Sequence, residues 1–326
     1  MAQRFTEDEL IARLFAPLAG AAALNLADDA ALLPACANAI VATADALVAG
    51  VHFFADDPPG AIAKKALRVN LSDLAAKGAK PLGFLLTLAL PPDWTNEWLT
   101  AFAAGLGEDA GAYGCPLLGG DTVATPGPLT LSITALGEAP HGKFISRSAA
   151  QPGDALFVSG TIGDAALGLR LRRDKALANQ LSPQARDYLL ERYLLPRPRL
   201  ALGPALRAHA SAAMDVSDGL AGDLAKLVKA SRVGARVTLS DVTLSDAARE
   251  AIAIDSNLME VALTGGDDYE ILCCISADAA HFEQLARAAG APCARIGEII
   301  AGDGETVFLD REQKIIKFNR LSFSHF

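Results

Sequence analysis

Aspartates set at the ends of apolar runs and beside glycines are the residues of this chain whose types and spacing could do chemistry. Ala27-Asp28-Asp29 precedes one apolar run, Thr43-Ala44-Asp45 lies within another, and Asn70-Leu71-Ser72-Asp73 sits in a segment of helical periodicity. Gly119-Gly120-Asp121 follows Pro116-Leu117-Leu118, and Met214-Asp215-Val216-Ser217-Asp218-Gly219 closes a fourth run. Thr264-Gly265-Gly266-Asp267-Asp268-Tyr269-Glu270 enters a fifth. Two like charges 4 Å apart repel by about 4 kcal/mol at an effective dielectric near 20, so folding alone does not gather carboxylates. A divalent cation with a polyphosphate does. Mg²⁺ takes hard oxygen ligands, typically one or two carboxylates plus phosphates, and glycines let backbone N–H groups approach phosphate oxygens. The expectation is that these carboxylates converge. A plainer reading stands beside each: Asp-Gly and Gly-Gly-Asp are ordinary turn chemistry, Asp28-Asp29 could be a solvated loop or an N-cap, Asp218 could cap the helix that follows, and Thr43 could be strand filler. Asp73 is harder to explain away, because aspartate between Leu71 and Leu74 in mid-helix has poor propensity.

Elements must position these residues. A helix is expected after Thr6 and to end before Pro17. Strands are expected at 40–48, 83–90 and 129–137, and helices at 60–77 and 95–113, the first with Ala63, Leu67, Asn70, Leu71, Leu74 and Ala75 near one stripe and Lys64, Lys65, Arg68 and Lys77 mostly elsewhere. Pro140, Gly142, Pro152 and Gly153 mark a seam, which sets domains at 1–142 and 143–326. The second half alternates: strands at 155–159, 211–216, 235–239, 269–275, 294–298 and 305–309, with helices at 163–172, 184–193, 198–209, 219–230, 245–253 and 277–289. This is a two-domain α/β (α+β) chain. It has 326 residues, about two domains' worth. At 51% hydrophobic and 21% charged it has material for packed cores. A net charge of −9 excludes a broad surface for nucleic acid or anionic lipid.

Other chemistries find no footing. There is no GxxxxGK[ST], GxGxxG after a strand, GxSxG or HExxH, and the five histidines sit near no nucleophile motif. The five cysteines show no CxxC, and adjacent Cys273 and Cys274 would face opposite ways in a strand. Buried free thiols, a polar acidic N-terminus and the lack of any apolar stretch near 18–20 residues are read as a soluble cytoplasmic protein.

At these residues the chain resembles the thiamine-monophosphate kinase family, of the aminoimidazole-ribonucleotide-synthetase-like superfamily. The strings that carry the resemblance are Asp45-Ala46-Leu47-Val48-Ala49-Gly50-Val51-His52-Phe53, Lys65 through Ala76, Gly119-Gly120-Asp121-Thr122, Asp215-Val216-Ser217-Asp218-Gly219-Leu220 and Thr264 through Glu270. The resemblance implies ATP-dependent phosphorylation of thiamine monophosphate to thiamine diphosphate, with ATP and several Mg²⁺ ions in the cleft between the domains and a homodimer whose N-terminal sheets pair. It implies metal ligation by Asp29, Thr43, Ala44 through its carbonyl, Asp45, Asp73, Asp121, Asp215 and Asp218. It implies ATP contacts at Gly120, Asp121, Arg147, Ser217 and Tyr113, and substrate contacts at His52, Asp267 and Phe323, with Asp45, Asp121 and Arg147 central to catalysis. Three departures stand out: Ala27 where the family has glycine, Ala44 where it has a hydroxyl, and Asp267 where it has glutamate. The acceptor is a phosphate monoester with a second pKa near 6, so it needs no general base. The transfer is expected to be direct and in line. Two alternatives stay open: another ATP-dependent enzyme of the superfamily, such as a cyclase or synthetase, and a catalytically dead nucleotide-binding scaffold.

Overall fold

A computed structural model of the chain describes residues 4–26, 30–33 and 37–322. The chain divides into two compact units, Met1–Leu74 with Ala79–His141, and Ala75–Gly78 with Gly142–Phe326.

The first unit opens on a short helix, α1 (Glu7–Leu10). Thr6 and Glu9 cap it reciprocally: Glu9 N–H donates to Thr6 Oγ1 at 3.3 Å and Thr6 N–H to Glu9 Oε2 at 3.0 Å. It passes at once into a π turn over Ile11–Phe15 with Leu10 still helical, so the helix expected between Thr6 and Pro17 is present with a change of hydrogen-bond pattern along it. Next come β1 (Ala39–Val48), α2 (Pro59–Ala76), β2 (Lys80–Leu90), α3 (Asn96–Tyr113), β3 (Leu117–Ala124) and β4 (Thr130–Ala139). The strands form one mixed sheet in the order β1-β4-β2-β3, with β4 antiparallel to both neighbours and β3 parallel to β2.

Helix α2 lies on one face of this sheet. Ala63, Leu67, Leu71, Leu74 and Ala75 are fully buried, the expected stripe. Lys65 departs from the expectation: it too is buried, its stem packed inward while Nζ donates to His52 O at 3.0 Å. Helix α3 crosses α2 where Gly60 meets Gly105, and a Cβ on Gly105 would lie 2.5 Å from Gly60 Cα. Period-two alternation turns Val41, Thr43, Asp45 and Leu47 of β1 toward the α2 face. The other face carries Ile40, Leu85 and Val123, which are exposed.

The second unit contains β5 (Ala155–Ser159), α4 (Asp164–Arg173), α5 (Lys175–Ala178), α6 (Pro183–Leu194), α7 (Gly203–His209), β6 (Ala210–Asp215), α8 (Leu220–Ser231), β7 (Gly234–Thr238), α9 (Asp246–Ile254), α10 (Leu258–Thr264), β8 (Ile271–Ile275), α11 (Ala279–Ala288), β9 (Cys293–Ile300), β10 (Thr306–Leu309) and β11 (Ile315–Ile316). Its sheet runs β11-β10-β7-β9-β5-β8-β6, antiparallel throughout except between β10 and β7. Strand β8 shows how both faces are covered: Leu272 and Cys274 pack with Leu220, Leu224 and Leu227 of α8, while Ile271, Cys273 and Ile275 pack with α7 and α11. The two cysteines do point to opposite faces. A third cluster joins α4, α5, α6, α9 and α10.

Three elements depart from the sequence reading. Gly119-Gly120-Asp121 lies inside strand β3, its backbone paired with Leu85, Leu86 and Thr87, rather than in a turn. Helix α10, seven residues with no side-chain cap, gave no boundary signal. The helix expected from 198 begins only at Gly203, after a 3₁₀ turn over Leu200–Leu202, with Pro204 in its first turn. Among the described residues no helix is long and apolar enough to cross a membrane.

Candidate functional site

In the first unit the strand-to-helix seam between β1 and α2 assembles four of the nominated residues. Thr43 Oγ1 donates a short hydrogen bond to Asp73 Oδ2, so the hydroxyl is more than strand filler and the mid-helix aspartate has a defined place. Buried Asn70 accepts from Asp45 N–H at 3.1 Å and anchors itself on Ala66 O at 3.0 Å. Ser132 Oγ donates to Asp45 O at 3.0 Å. Both backbone groups of Asp45 are thereby fixed, which fixes where its carboxylate starts. Ala44 stands on the opposite, exposed face of β1, paired with Thr134. His52 lies in the turn after β1. Its Nδ1 accepts from Val48 N–H at 3.0 Å, which in the neutral ring leaves the proton on Nε2.

Gly120 and Asp121 occupy the far edge of the same sheet. The register sets Asp45, Ile133, Leu86 and Gly120 in one row. Asp45 and Asp121 are therefore three strand spacings apart, about 14 Å between backbones. They also face opposite ways: Asp121 shares its row with Thr87, Ser132 and Ala46 on the open face. One copy of this unit does not bring these two carboxylates to one ion. Gly120 itself is obligatory, because a Cβ there would sit 1.8 Å from Leu86 O. Tyr113, at the end of α3, lies under Arg68, whose guanidinium is 5.8 Å from the ring centroid and grips Asp109 at 2.6 and 2.9 Å.

In the second unit two loops lie side by side. Asp215 ends β6 and is buried, with Ser217 and Asp218 following it. Asp267 N–H donates to Ser217 O at 2.9 Å, Tyr269 N–H to Val216 O at 2.8 Å, and Val216 N–H to Glu270 O at 2.8 Å. Gly266 permits this approach: a Cβ there would meet Ser217 O at 2.2 Å. Asp267 and Tyr269 take positive φ values of 75° and 53°. The reason lies in their neighbours. Asp268 and Glu270, both fully buried, are drawn inward. Asp268 accepts from Gly163 and Ala165 N–H at 2.7 and 3.1 Å, at the start of α4. Burial nonetheless holds its carboxyl well above the usual range. Glu270 accepts from Ser159 Oγ at 2.6 Å, Arg192 at 3.2 Å and Arg199 at 2.7 and 2.5 Å.

Asp218 does not cap α8; Gly219 occupies the cap position without a side-chain bond. The Asp218 carboxylate instead takes a short ion pair from Lys226, which also holds Asp223 at 2.8 Å. Asp223 Oδ2 accepts from Asp218 N–H at 2.8 Å. Burial raises the Asp223 carboxyl, and burial would lower the Lys226 ammonium, but its hydrogen bonds to Asp218 and Asp223 outweigh that and raise it. Arg147 is exposed, and its carbonyl accepts from Ser231 Oγ at 3.0 Å. Asp29 and Phe323 lie outside the described residues. Among the described residues no group of three or more His, Cys, Asp or Glu could by itself hold a metal ion. An all-oxygen donor set of one or two carboxylates at a time is nonetheless the kind Mg²⁺ uses together with substrate phosphates.

Two family models match the chain: the AIR synthase related protein N-terminal domain over residues 27–139 and its C-terminal domain over 151–310. A thiamine-monophosphate kinase of Caulobacter vibrioides is 44% identical over 310 residues, 93% of this chain and 86% of that one. The chain belongs to the thiamine-monophosphate kinase family. Among solved structures, the family's member from Stenotrophomonas maltophilia K279a superposes with a TM-score of 0.80 at 43% identity, covering 86% of this chain and 89% of the other. AaThiL complexed with AMPPCP and TMP gives 0.77 at 29% identity, covering 92% and 91%. Against the family strings, sequence reasoning missed Lys226, Asp223, Arg192 and Arg199. The first two follow Asp218 within one helix turn or two, a readable spacing. The arginines lie 71 or more residues from Glu270 and left no local signal.

Proposed function

We propose that this chain phosphorylates thiamine monophosphate to thiamine diphosphate with ATP as donor. The observation that carries this reading is the 44% identity to a thiamine-monophosphate kinase across 93% of the chain; every nominated aspartate is in place in the sequence. ATP and thiamine monophosphate are its small-molecule partners. In this reading Asp29, Asp45, Asp73 and Asp121, with Thr43 and the Ala44 carbonyl, and Asp215 and Asp218 of the second unit, are the ligands of Mg²⁺. When bound, Mg²⁺ neutralises the charge that two phosphates present to each other. Gly120, Asp121, Tyr113, Arg147 and Ser217 contact the nucleotide. Gly120 brings backbone close where a side chain has no room, and Arg147 adds fixed positive charge. His52 offers Nε2–H to the substrate while Val48 holds its other nitrogen. Asp267 and Phe323 complete the acceptor side. Asp267, one methylene shorter than the family's glutamate, is held in its unusual conformation by the inward pull on Asp268. The monoester is already ionised, so no side chain need remove a proton.

The working form in this reading is a homodimer. Its support is the open face of the first sheet, where Ile40, Leu85 and Val123 are exposed around the small residues Ala42, Ala44 and Ala46. A second copy of the sheet would cover that face. Asp121 points to that face and away from Asp45, so within one copy the two do not meet at one ion, and a second copy is where further ligands beside Asp121 would come from. ATP use and the free thiols at Cys115, Cys273, Cys274 and Cys293 fit the cytosol. The test is to incubate the purified protein with ATP, Mg²⁺ and a panel of phosphate monoesters. Equal formation of ADP and thiamine diphosphate is expected, with no label retained on protein from γ-labelled ATP. Turnover of another acceptor in preference, or of none, would overturn the reading.

A further inference from the structure

A cleft of about 300 Å³ opens in the second unit beside the Gly265-Gly266 corner. Its walls include Ala166, Arg170 and Arg173 of α4 and Arg320 of the C-terminal strap. The strap is built into place. Asn319 donates from its backbone and its amide to the two oxygens of Glu260, at 2.6 and 2.9 Å. Ser322 packs on Gly222, where an added Cβ would lie 2.2 Å from the serine Cβ. Arg170 is shared with Asp174 at 3.1 Å. Arg173 and Arg320 have no acidic partner among the described residues. The cleft is thus a local excess of positive charge on a chain of net charge −9.

That contrast has a consequence for an enzyme whose two substrates are anions. The overall charge and the site's own carboxylates repel both. Screening confines any correction to about 8 Å at physiological salt, so a cation that helps must stand next to the site. This cleft does: the far side of Gly266 rests on Ser217 and Asp218. We propose that Arg170, Arg173 and Arg320 form an anion subsite that captures the phosphate of the acceptor before transfer. The proposal rests on the kinase reading above and adds to it the groups that attract the acceptor. Guanidinium forks suit phosphate oxygens, and the small wall residues leave room for them.

The test compares wild type with Arg173→Gln/Arg320→Gln, and with Arg287→Gln/Arg311→Gln, two exposed arginines outside the cleft, as a charge-matched control. The double variant should lose about tenfold in kcat/KM for thiamine monophosphate at low salt, in line with the lower end of electrostatic steering. Its kcat and its KM for ATP should not move, and its salt dependence should flatten. Inorganic phosphate should compete with the acceptor in wild type and far less in the variant. An unchanged salt slope, or a loss equal to that of the control, would overturn the subsite. Phosphate inhibition that is non-competitive with the acceptor would overturn it too, since the cleft would then be a separate regulatory site. Calorimetric titration of wild type and variant with inorganic phosphate reads the cleft without turnover. If the wild type proves inactive, equal phosphate binding by both proteins still refutes the subsite, and binding lost only in the variant still supports it.

Discussion

The register of the first sheet sets up a sharp prediction about who completes whose site. Asp45 and Asp121 are about 14 Å apart and on opposite faces of one copy, so if both serve one reaction centre they must come from different copies. Asp45→Asn and Asp121→Asn should each fold and each lose nearly all turnover, because amides replace the charge at almost constant volume. The two inactive proteins are then mixed in equal amounts and allowed to exchange subunits. Random pairing gives half heterodimers. In each heterodimer one site carries both lesions and the other carries neither, so about one quarter of the wild-type activity returns. Steady-state formation of thiamine diphosphate measures it, and mass spectrometry of the intact dimer confirms exchange. If the two aspartates worked within one copy, every site would carry one lesion and mixing would restore nothing. Confirmed exchange with no recovery would therefore refute the reasoning from register.

Three further outcomes follow from local geometry. Gly120→Ala forces a Cβ to 1.8 Å from Leu86 O; it should cost about 3 kcal/mol or more, seen as a lower urea midpoint and a raised KM for ATP. Glu270→Gln leaves the buried Arg192 and the mostly buried Arg199 without their shared carboxylate; a loss of about 3–5 kcal/mol is expected in denaturant titrations, and an unchanged midpoint would show that the cluster contributes nothing net. Burial pushes the Cys115 and Cys293 thiols up to about 12, so neither thiol should be alkylated in the native protein at pH 8. Each raised thiol stays neutral until pH climbs toward that value, and above the ordinary thiol range the unfolded chain ionises first, which lowers stability at alkaline pH. Rapid native labelling of either would contradict the burial.

Much of the scaffold was legible because its periodicities are clean. The stripe from Ala63 to Ala75 read as α2, and alternating runs read as β1, β2 and β4. Adjacent Cys273 and Cys274 read as a two-faced strand, because both faces of β8 are covered. The elements that escaped are those held by partners distant in sequence. Strand β3 is an edge strand whose middle, Gly-Gly-Asp-Thr, has the composition of a turn; the hydrogen bonds offered by β2 hold it extended. The seven residues of α10 fold between α4, α8 and α9 without a cap of their own.

The candidate site divides along the same line. Residue types named the carboxylates, since aspartate beside glycine or inside an apolar stripe is conspicuous in one dimension. What each carboxylate meets is a matter of register and of charge drawn from elsewhere. Thr43 could be weighed as filler because the bond to Asp73 spans 30 residues. Asp218 could be weighed as a cap because its true partner, Lys226, lies two turns down a helix that starts one residue later than capping requires. Asp267 owes its backbone conformation to the inward bonds of Asp268 and Glu270, and so to arginines on α6 and the following turn. A motif string records which side chains are present, and the buried groups beneath it decide which of them are left to face a ligand. By that argument the double-face arrangement of Asp45 and Asp121 is a property of strand pairing alone, invisible until β3 is placed beside β2, and it is the feature that the subunit-exchange experiment puts to the test.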